Sequence, residues 1–189
     1  MLVTETEIKE MLKEVKTGNK ERKFKQSVEL IMVFKDIDVK KGFSLNETVQ
    51  LPKTSSPAAV CVMASGDMGL KAKNAKADRV MDGDELNRLG ANKRESRKVI
   101  NSFDFFLADT KLMPVVGKVM GQFLGPRGKM PTPVPFNAPI ESFLDRFRSS
   151  IRIRVKNSLS TSCKIGDESM SDEDLAANAN AVISAVEKN

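Results

Sequence analysis

Between Ala58 and Ala64 the chain reads Ala-Ala-Val-Cys-Val-Met-Ala with no polar residue, the texture of a strand covered on both faces. A strand of that kind needs helices above and below it, and the residues that follow supply them. Gly66-Asp67 ends the run, and Met68 to Ala75 is suited to a helix. Ala77 to Met81 reads as a short strand. A helix beginning at Asp82-Gly83-Asp84 turns Leu86 and Leu89 inward and continues through a charged stretch to Val99 and Ile100. Ser102 to Ala108 (Ser-Phe-Asp-Phe-Phe-Leu-Ala) is the next strand and Met113 to Leu124 the next helix. Strands alternating with helices in this way predict a small parallel sheet of doubly wound type.

The flanks follow a different rule. Thr4 and Glu7 form a capping box before a stripe of Ile8, Met11, Leu12 and Val15, with Gly18 closing the first helix. Phe24 to Asp38 holds the β-rich run Ser27 to Phe34, and Asn46 to Leu51 alternates as a second strand after a turn around Lys40-Lys41-Gly42. Pro52 to Pro57 (Pro-Lys-Thr-Ser-Ser-Pro) has linker composition. After Pro139 a helix through Phe143 and Phe147 returns to strand pattern, residues 149 to 170 read as a hairpin, and a last helix starts at Ser171 with a stripe of Leu175, Ala179, Val182, Ile183 and Val186. The expected architecture is an α+β first domain, residues 1–56 and 147–189, interrupted by an inserted Rossmann-like α/β domain, residues 57–146. Two crossings between them predict a bilobal molecule with hinge freedom.

Charge divides the chain as well. The net charge is +6, yet residues 110–166 hold ten Lys or Arg against Glu141 and Asp145, so that window is +8 and the remainder −2. In Ile151-Arg152-Ile153-Arg154-Val155-Lys156 apolar and cationic residues alternate strictly, which in a strand sends three cations to one face. Like charges at that spacing repel, and a phosphate backbone is the natural group to face them. The competing reading is that the cations of this window lie on several unrelated solvated faces. At Arg22-Lys23-Phe24-Lys25-Gln26-Ser27-Val28-Glu29, three cations surround an aromatic residue. Phe24 there either stacks on a base or ribose, with Lys23 and Lys25 on phosphates and Ser27 and Glu29 on a 2′-hydroxyl or base edge, or anchors the strand in the core.

Several chemistries are excluded. The chain has no His, Trp or Tyr, which removes Ser-His-Asp and Cys-His nucleophiles, His-containing zinc sites and a Tyr acid. Its two cysteines, Cys61 and Cys163, are too far apart in sequence for a CxxC pair or zinc knuckle and read as reduced, buried hydrophobes. No run approaches the roughly 18 apolar residues of a membrane span, so the expectation is a cytoplasmic chain with no membrane partner. Gly125-Pro126-Arg127-Gly128-Lys129-Met130 invites comparison with a phosphate loop, but Phe123 stands where the first glycine belongs and Met130 where Ser or Thr belongs. It is instead expected to be a helix C-cap with Gly125 in the left-handed region, which leaves Arg127 and Lys129 in a turn with no acid between Asp109 and Glu141. Acid groups at Asp82 and Asp84, and from Asp172 to Asp174, read as helix caps. No catalytic residue, cofactor or metal ligand is assigned, and the chain is not expected to be an enzyme.

The segment Met120-Gly-Gln-Phe-Leu-Gly-Pro-Arg-Gly-Lys-Met-Pro131, followed by Pro133-Val134-Pro135, resembles the signature of the ribosomal protein L-one (L1p) family. Phe24 to Leu30, Gly66-Asp67, Phe103-Asp104-Phe105-Phe106, Leu112-Met113-Pro114 and Ile165-Gly166 to Met170 extend the likeness over essentially the whole chain, toward the archaeal and eukaryotic branch. The resemblance implies a discontinuous first domain with a Rossmann-like insertion. It further implies binding of large-subunit rRNA at the lateral stalk among other large-subunit components, assistance in moving or releasing deacylated exit-site tRNA, and translational repression through the protein's own mRNA. It makes Phe24, Ser27 and Glu29 rRNA contacts, with Lys23 and Lys25 beside them and Gly166 and Met170 in a nearby RNA-facing loop. Arg127, Lys129, Arg152, Arg154 and Lys156 complete the candidate RNA-binding set. Members of the family continue past the last helix into a further strand and a Thr-Met-Gly-Pro segment of the RNA site, so a chain stopping at Asn189 is expected to lack that strand. The alternatives from other classes are an RNA chaperone outside the ribosome and a small ligand-binding α/β domain.

Overall fold

In the computed structural model, residues 4–20, 22–35, 44–156 and 158–188 are described. They divide into two compact units, Met1–Pro57 with Ser149–Asn189, and Ala58–Arg148. The first opens with α1, Glu5–Gly18, started by the Thr4 capping box: Thr4 N donates to Glu7 Oε2 at 2.7 Å and Glu7 N to Thr4 Oγ1 at 3.4 Å. Of the expected stripe only Ile8 and Leu12 are buried, while Met11 and Val15 are exposed. One turn's spacing selects the i, i+4 pair that meets α7, Asp172–Glu187, and leaves the flanking positions on the rim.

Four strands complete this unit. β1, Ser27–Val33, pairs antiparallel with β8, Ser160–Asp167, and β2, Ser44–Gln50, pairs antiparallel with β7, Ser150–Lys156. The hairpin expected over residues 149–170 is therefore replaced, among the described residues, by two long-range ladders in which each late strand takes an early partner. The turn expected around Lys40-Lys41-Gly42 lies outside the described residues. Both ladders send alternate residues into one core: Leu45, Val49, Ile153, Val155, Cys163 and Ile165 pack with Leu175, Ala176, Ala179 and Val182 of α7. Asn178 lies fully buried among them. Its amide nitrogen donates to the carbonyls of Lys53 (2.6 Å) and Ile165 (2.7 Å), and its oxygen accepts from Lys53 N (3.0 Å), so both its N–H donors and its oxygen are engaged with backbone.

The second unit is a four-stranded parallel sheet in the order β4-β3-β5-β6, formed by β3 Val60–Met63, β4 Arg79–Met81, β5 Phe105–Asp109 and β6 Thr132–Val134. β3 and β5 are buried along their whole length. Cys61, Met63, Phe106 and Ala108 face one cluster with α3 (Gly83–Ala91), α4 (Lys93–Ser102) and α5 (Met113–Leu124). Val60, Val62, Phe105 and Leu107 face the other with α2 (Gly66–Asn74) and α6 (Ile140–Arg148). That is the doubly wound arrangement the apolar runs predict.

Three details differ from expectation. The helix begun at Asp82 is two helices, because Asn92 ends α3 and then accepts from Arg94 N and Glu95 N to start α4. β6 forms inside a Pro-rich segment; it is an edge strand, where the missing N–H of Pro133 is tolerated. Residues 147 and 148, assigned from sequence to the first domain, stand with the second unit: the Phe147 ring lies 5.2 Å from that of Phe105, and Arg148 donates to the Lys76 carbonyl and lies 3.8 Å from Asp78. At the other crossing Pro57 falls with the first unit.

Candidate nucleic-acid interface

The segment before β1 is tied to the loop after β8. Gln26 N and Nε2 donate to the two carboxylate oxygens of Glu168 at 3.0 and 3.2 Å, and Glu168 N returns a bond to Gln26 O at 3.0 Å. Lys25 Nζ lies 3.3 Å from Asp167 Oδ2. The Ser169 hydroxyl donates to Asp167 Oδ1 at 2.6 Å and holds that carboxyl below the usual carboxylate range, helped by the Ser169 N–H and the Lys25 ammonium. Just before these ties Phe24 projects 63% exposed, with Lys23 also exposed, so the core-anchor reading of Phe24 is overturned: the strand begins only at Ser27.

Ser27 and Glu29 lie on the outward face of β1, opposite Asp167 and Lys164, and the same face carries Ile31 and Val33 at 68% and 66% exposure. A β-bulge between Val28 and Glu29 shifts the register beside this patch. Gly166 is buried. A side chain there would meet Leu175 Cδ2 at 2.5 Å and Met170 Sδ at 2.6 Å, so glycine is what lets the half-buried Met170 fold back over the strand. The structure thus places Ser27 and Glu29 on the outward face of β1, just after Lys23, Phe24 and Lys25, whereas Gly166, buried opposite Val28, and Met170 pack on the core side, where they shape the loop.

On β7 the alternation holds as the sequence predicts. Ile151, Ile153 and Val155 turn to the core, and Arg152, Arg154 and Lys156 to the other face, where their cross-strand neighbours are Thr48, Asn46 and Ser44. Arg127 and Lys129 belong to the second unit and are engaged with backbone: Arg127 Nη1 donates to Phe123 O at 3.2 Å, and Lys129 Nζ to Ile100 O at 3.1 Å and Phe103 O at 2.6 Å. Cations without acids in this turn are explained by the carbonyl ends of α5 and α4, which they cap. The left-handed residue is Gly128, at φ 66°, rather than Gly125, which is helical.

Sequence reasoning missed one surface feature. Phe136, 47% exposed after β6, has the ammonium groups of Lys111 and Lys71 at 5.2 and 5.9 Å from its ring centroid. An aromatic residue in the Pro135-Phe136-Asn137 turn, where burial is not available, was the one local sign of it. Both cysteines are buried free thiols, with burial pushing Cys61 up to about 12 and Cys163 up to about 11.

An outward face rich in cations with a projecting ring, built on strands whose other face is core, suits a polyanion with accessible bases. Residues 12–189 match the model of the Ribosomal protein L1p/L10e family. The chain is 71% identical over 187 residues to the large ribosomal subunit protein uL1 of Cenarchaeum symbiosum, covering 99% of this chain and 86% of that one. The protein of the same name from Thermofilum pendens is 46% identical over 191 residues, with 99% and 85% covered, and that from Archaeoglobus fulgidus is 38% identical over 189 residues, with 99% and 88% covered. With a family match spanning nearly the whole sequence and relatives aligned across both units, this chain belongs to the ribosomal protein L1p/L10e family.

Proposed function

We propose that this chain is a non-catalytic constituent of the large ribosomal subunit that binds rRNA of the lateral stalk through its first unit, with Phe24 as the stacking residue. The supporting observation is the pairing of a 63% exposed phenylalanine with a fixed polar frame: Lys25, Gln26, Asp167, Glu168 and Ser169 hold the loop that presents it. A ring already held outside the core stacks on an unpaired base at small ordering cost, while Lys23 and Lys25 supply phosphate contacts and Ser27 and Glu29 base-edge or 2′-hydroxyl contacts. Arg152, Arg154 and Lys156 extend the cationic surface of the same unit. In this reading the protein works at the ribosome in the cytoplasm, assists the movement or release of deacylated tRNA from the exit site, and represses translation where its own mRNA carries an rRNA-like site.

The experiment is binding of a large-subunit stalk RNA fragment against an unrelated hairpin across a salt series. A stalk preference that persists as salt rises is expected. Equal binding of both RNAs with a purely electrostatic slope of roughly −0.9 per neutralised phosphate would refute the reading and leave a general polyanion binder. Phe24→Ala combined with Glu29→Ala is expected to weaken stalk binding about tenfold or more, given roughly 1–3 kcal/mol per stacked base, with the circular dichroism spectrum unchanged.

A further inference from the structure

We infer that Phe136, with Lys71 and Lys111, forms a second RNA contact, on the inserted unit, that takes a single unpaired nucleotide: its base against the ring and its flanking phosphates on the two ammonium groups. The inference rests on reading the chain as an RNA-binding protein and adds a site to it. Lys111 follows β5, Phe136 follows β6, and α2, which carries Lys71, follows β3, so all three residues lie on elements leaving the carboxyl ends of parallel strands. In the order β4-β3-β5-β6 the direction of winding reverses between β3 and β5, and the crevice beyond such a reversal is where open α/β sheets receive ligands.

The electrostatics point the same way. Two lysines of one charge converge on one ring, 5.2 and 5.9 Å from its centre, and among the described residues neither ammonium makes an ion pair. Asp109, the nearest acid in sequence to Lys111, is buried and spends Oδ1 on the backbone N–H of that lysine. A ring face offers each cation only weak attraction in water, so both ammonium groups can turn to an incoming phosphate at little cost. Nothing in the core needs this ring, since Phe136 is 47% exposed.

The test uses the full chain and a fluorescent single-stranded RNA octamer, an abasic octamer of the same length, and a 4-thiouridine octamer crosslinked by ultraviolet light and mapped by mass spectrometry. Crosslinks are expected in the peptide containing Phe136. Phe136→Ala should weaken the octamer about tenfold, the scale of one lost stack, and Phe136→Leu, which keeps apolar bulk without a π-face, should weaken it nearly as much. Lys71→Ala with Lys111→Ala should reduce the salt slope by roughly 1.4, two single-strand phosphates. Unchanged amide protection in β3 and β5 of the Phe136 variants shows that the inserted unit is folded, and their unchanged stalk-RNA binding shows that the first unit is. Octamer binding by Phe136→Ala within twofold of the parent, equal binding of the abasic octamer, or crosslinks confined to residues 4–57 and 149–188 would each overturn the inference while leaving the stalk reading intact. Loss of stalk preference in the parent chain would instead remove the reading beneath it.

Discussion

The two units solve the same burial problem in opposite ways. In the first, antiparallel strands keep a wet face, so every second residue of β1 and β2, and Arg152, Arg154 and Lys156 of β7, can carry charge, hydroxyl or exposed hydrocarbon. In the second, both faces of the sheet are covered and β3 and β5 are buried throughout, so nothing along the strands can touch a ligand. Contacts there are confined to strand ends and the turns beyond them, where Phe136 and Lys111 stand. Recognition by face and recognition by edge thus divide between the units, and substitutions in the two should fail differently.

The sharpest way to break that contrast is at the buried sheet. Phe105, 2% exposed and packed on Phe147, is expected to cost about 3–5 kcal/mol when replaced by Ala. Hydrogen exchange should show the loss in β3 and β5 with the β1 and β8 amides still protected; uniform loss would mean that the units do not have separate stability. Asn178→Ala is the converse. It strands the Lys53 N–H and the Lys53 and Ile165 carbonyls, and is expected to cost about 2–3 kcal/mol, read as lost protection in α7 and β8 and a lowered urea midpoint.

How much of this was legible beforehand follows from range of interaction. Local pattern carried far: the unbroken apolar run at β3, the strict alternation of β7 and the Thr4 capping box each depend on near neighbours, and each stands in the structure as read. What depended on distant partners did not. Nothing within Ser149 to Met170 reveals that β7 and β8 will pair with strands more than a hundred residues earlier instead of with each other. Lys129 reads from the sequence as an unengaged cation because its partners, the Ile100 and Phe103 carbonyls, are invisible to composition. Asn178 sits in an apolar stripe, and only the backbone it satisfies explains its presence. Phe24 was legible as an aromatic among cations, yet whether it faced in or out awaited the fold.

The smallest expected effect concerns the loop that frames Phe24. The Asp167 carboxyl has its pKa lowered in the folded state, so the stability it contributes is fully present above about pH 4, its unfolded value, and is lost as pH falls through the lowered folded value. Asp167→Asn should therefore flatten the acid limb of the stability curve below about pH 4 and leave the neutral region with a small loss from the weakened Ser169 and Lys25 contacts. An acid limb identical to the parent would show that Ser169 and Lys25 do not hold the carboxylate in solution, and would weaken the view of that loop as preorganised.

The placement of the two thiols gives each unit its own clock. Cys61 lies in the second and Cys163 in the first, both buried with their ionisation suppressed, so a thiolate-seeking reagent meets neither until the surrounding strands open. Mass-resolved alkylation of the unmodified chain therefore times the opening of each unit separately in a single tube, with RNA bound or absent, and needs no engineered label.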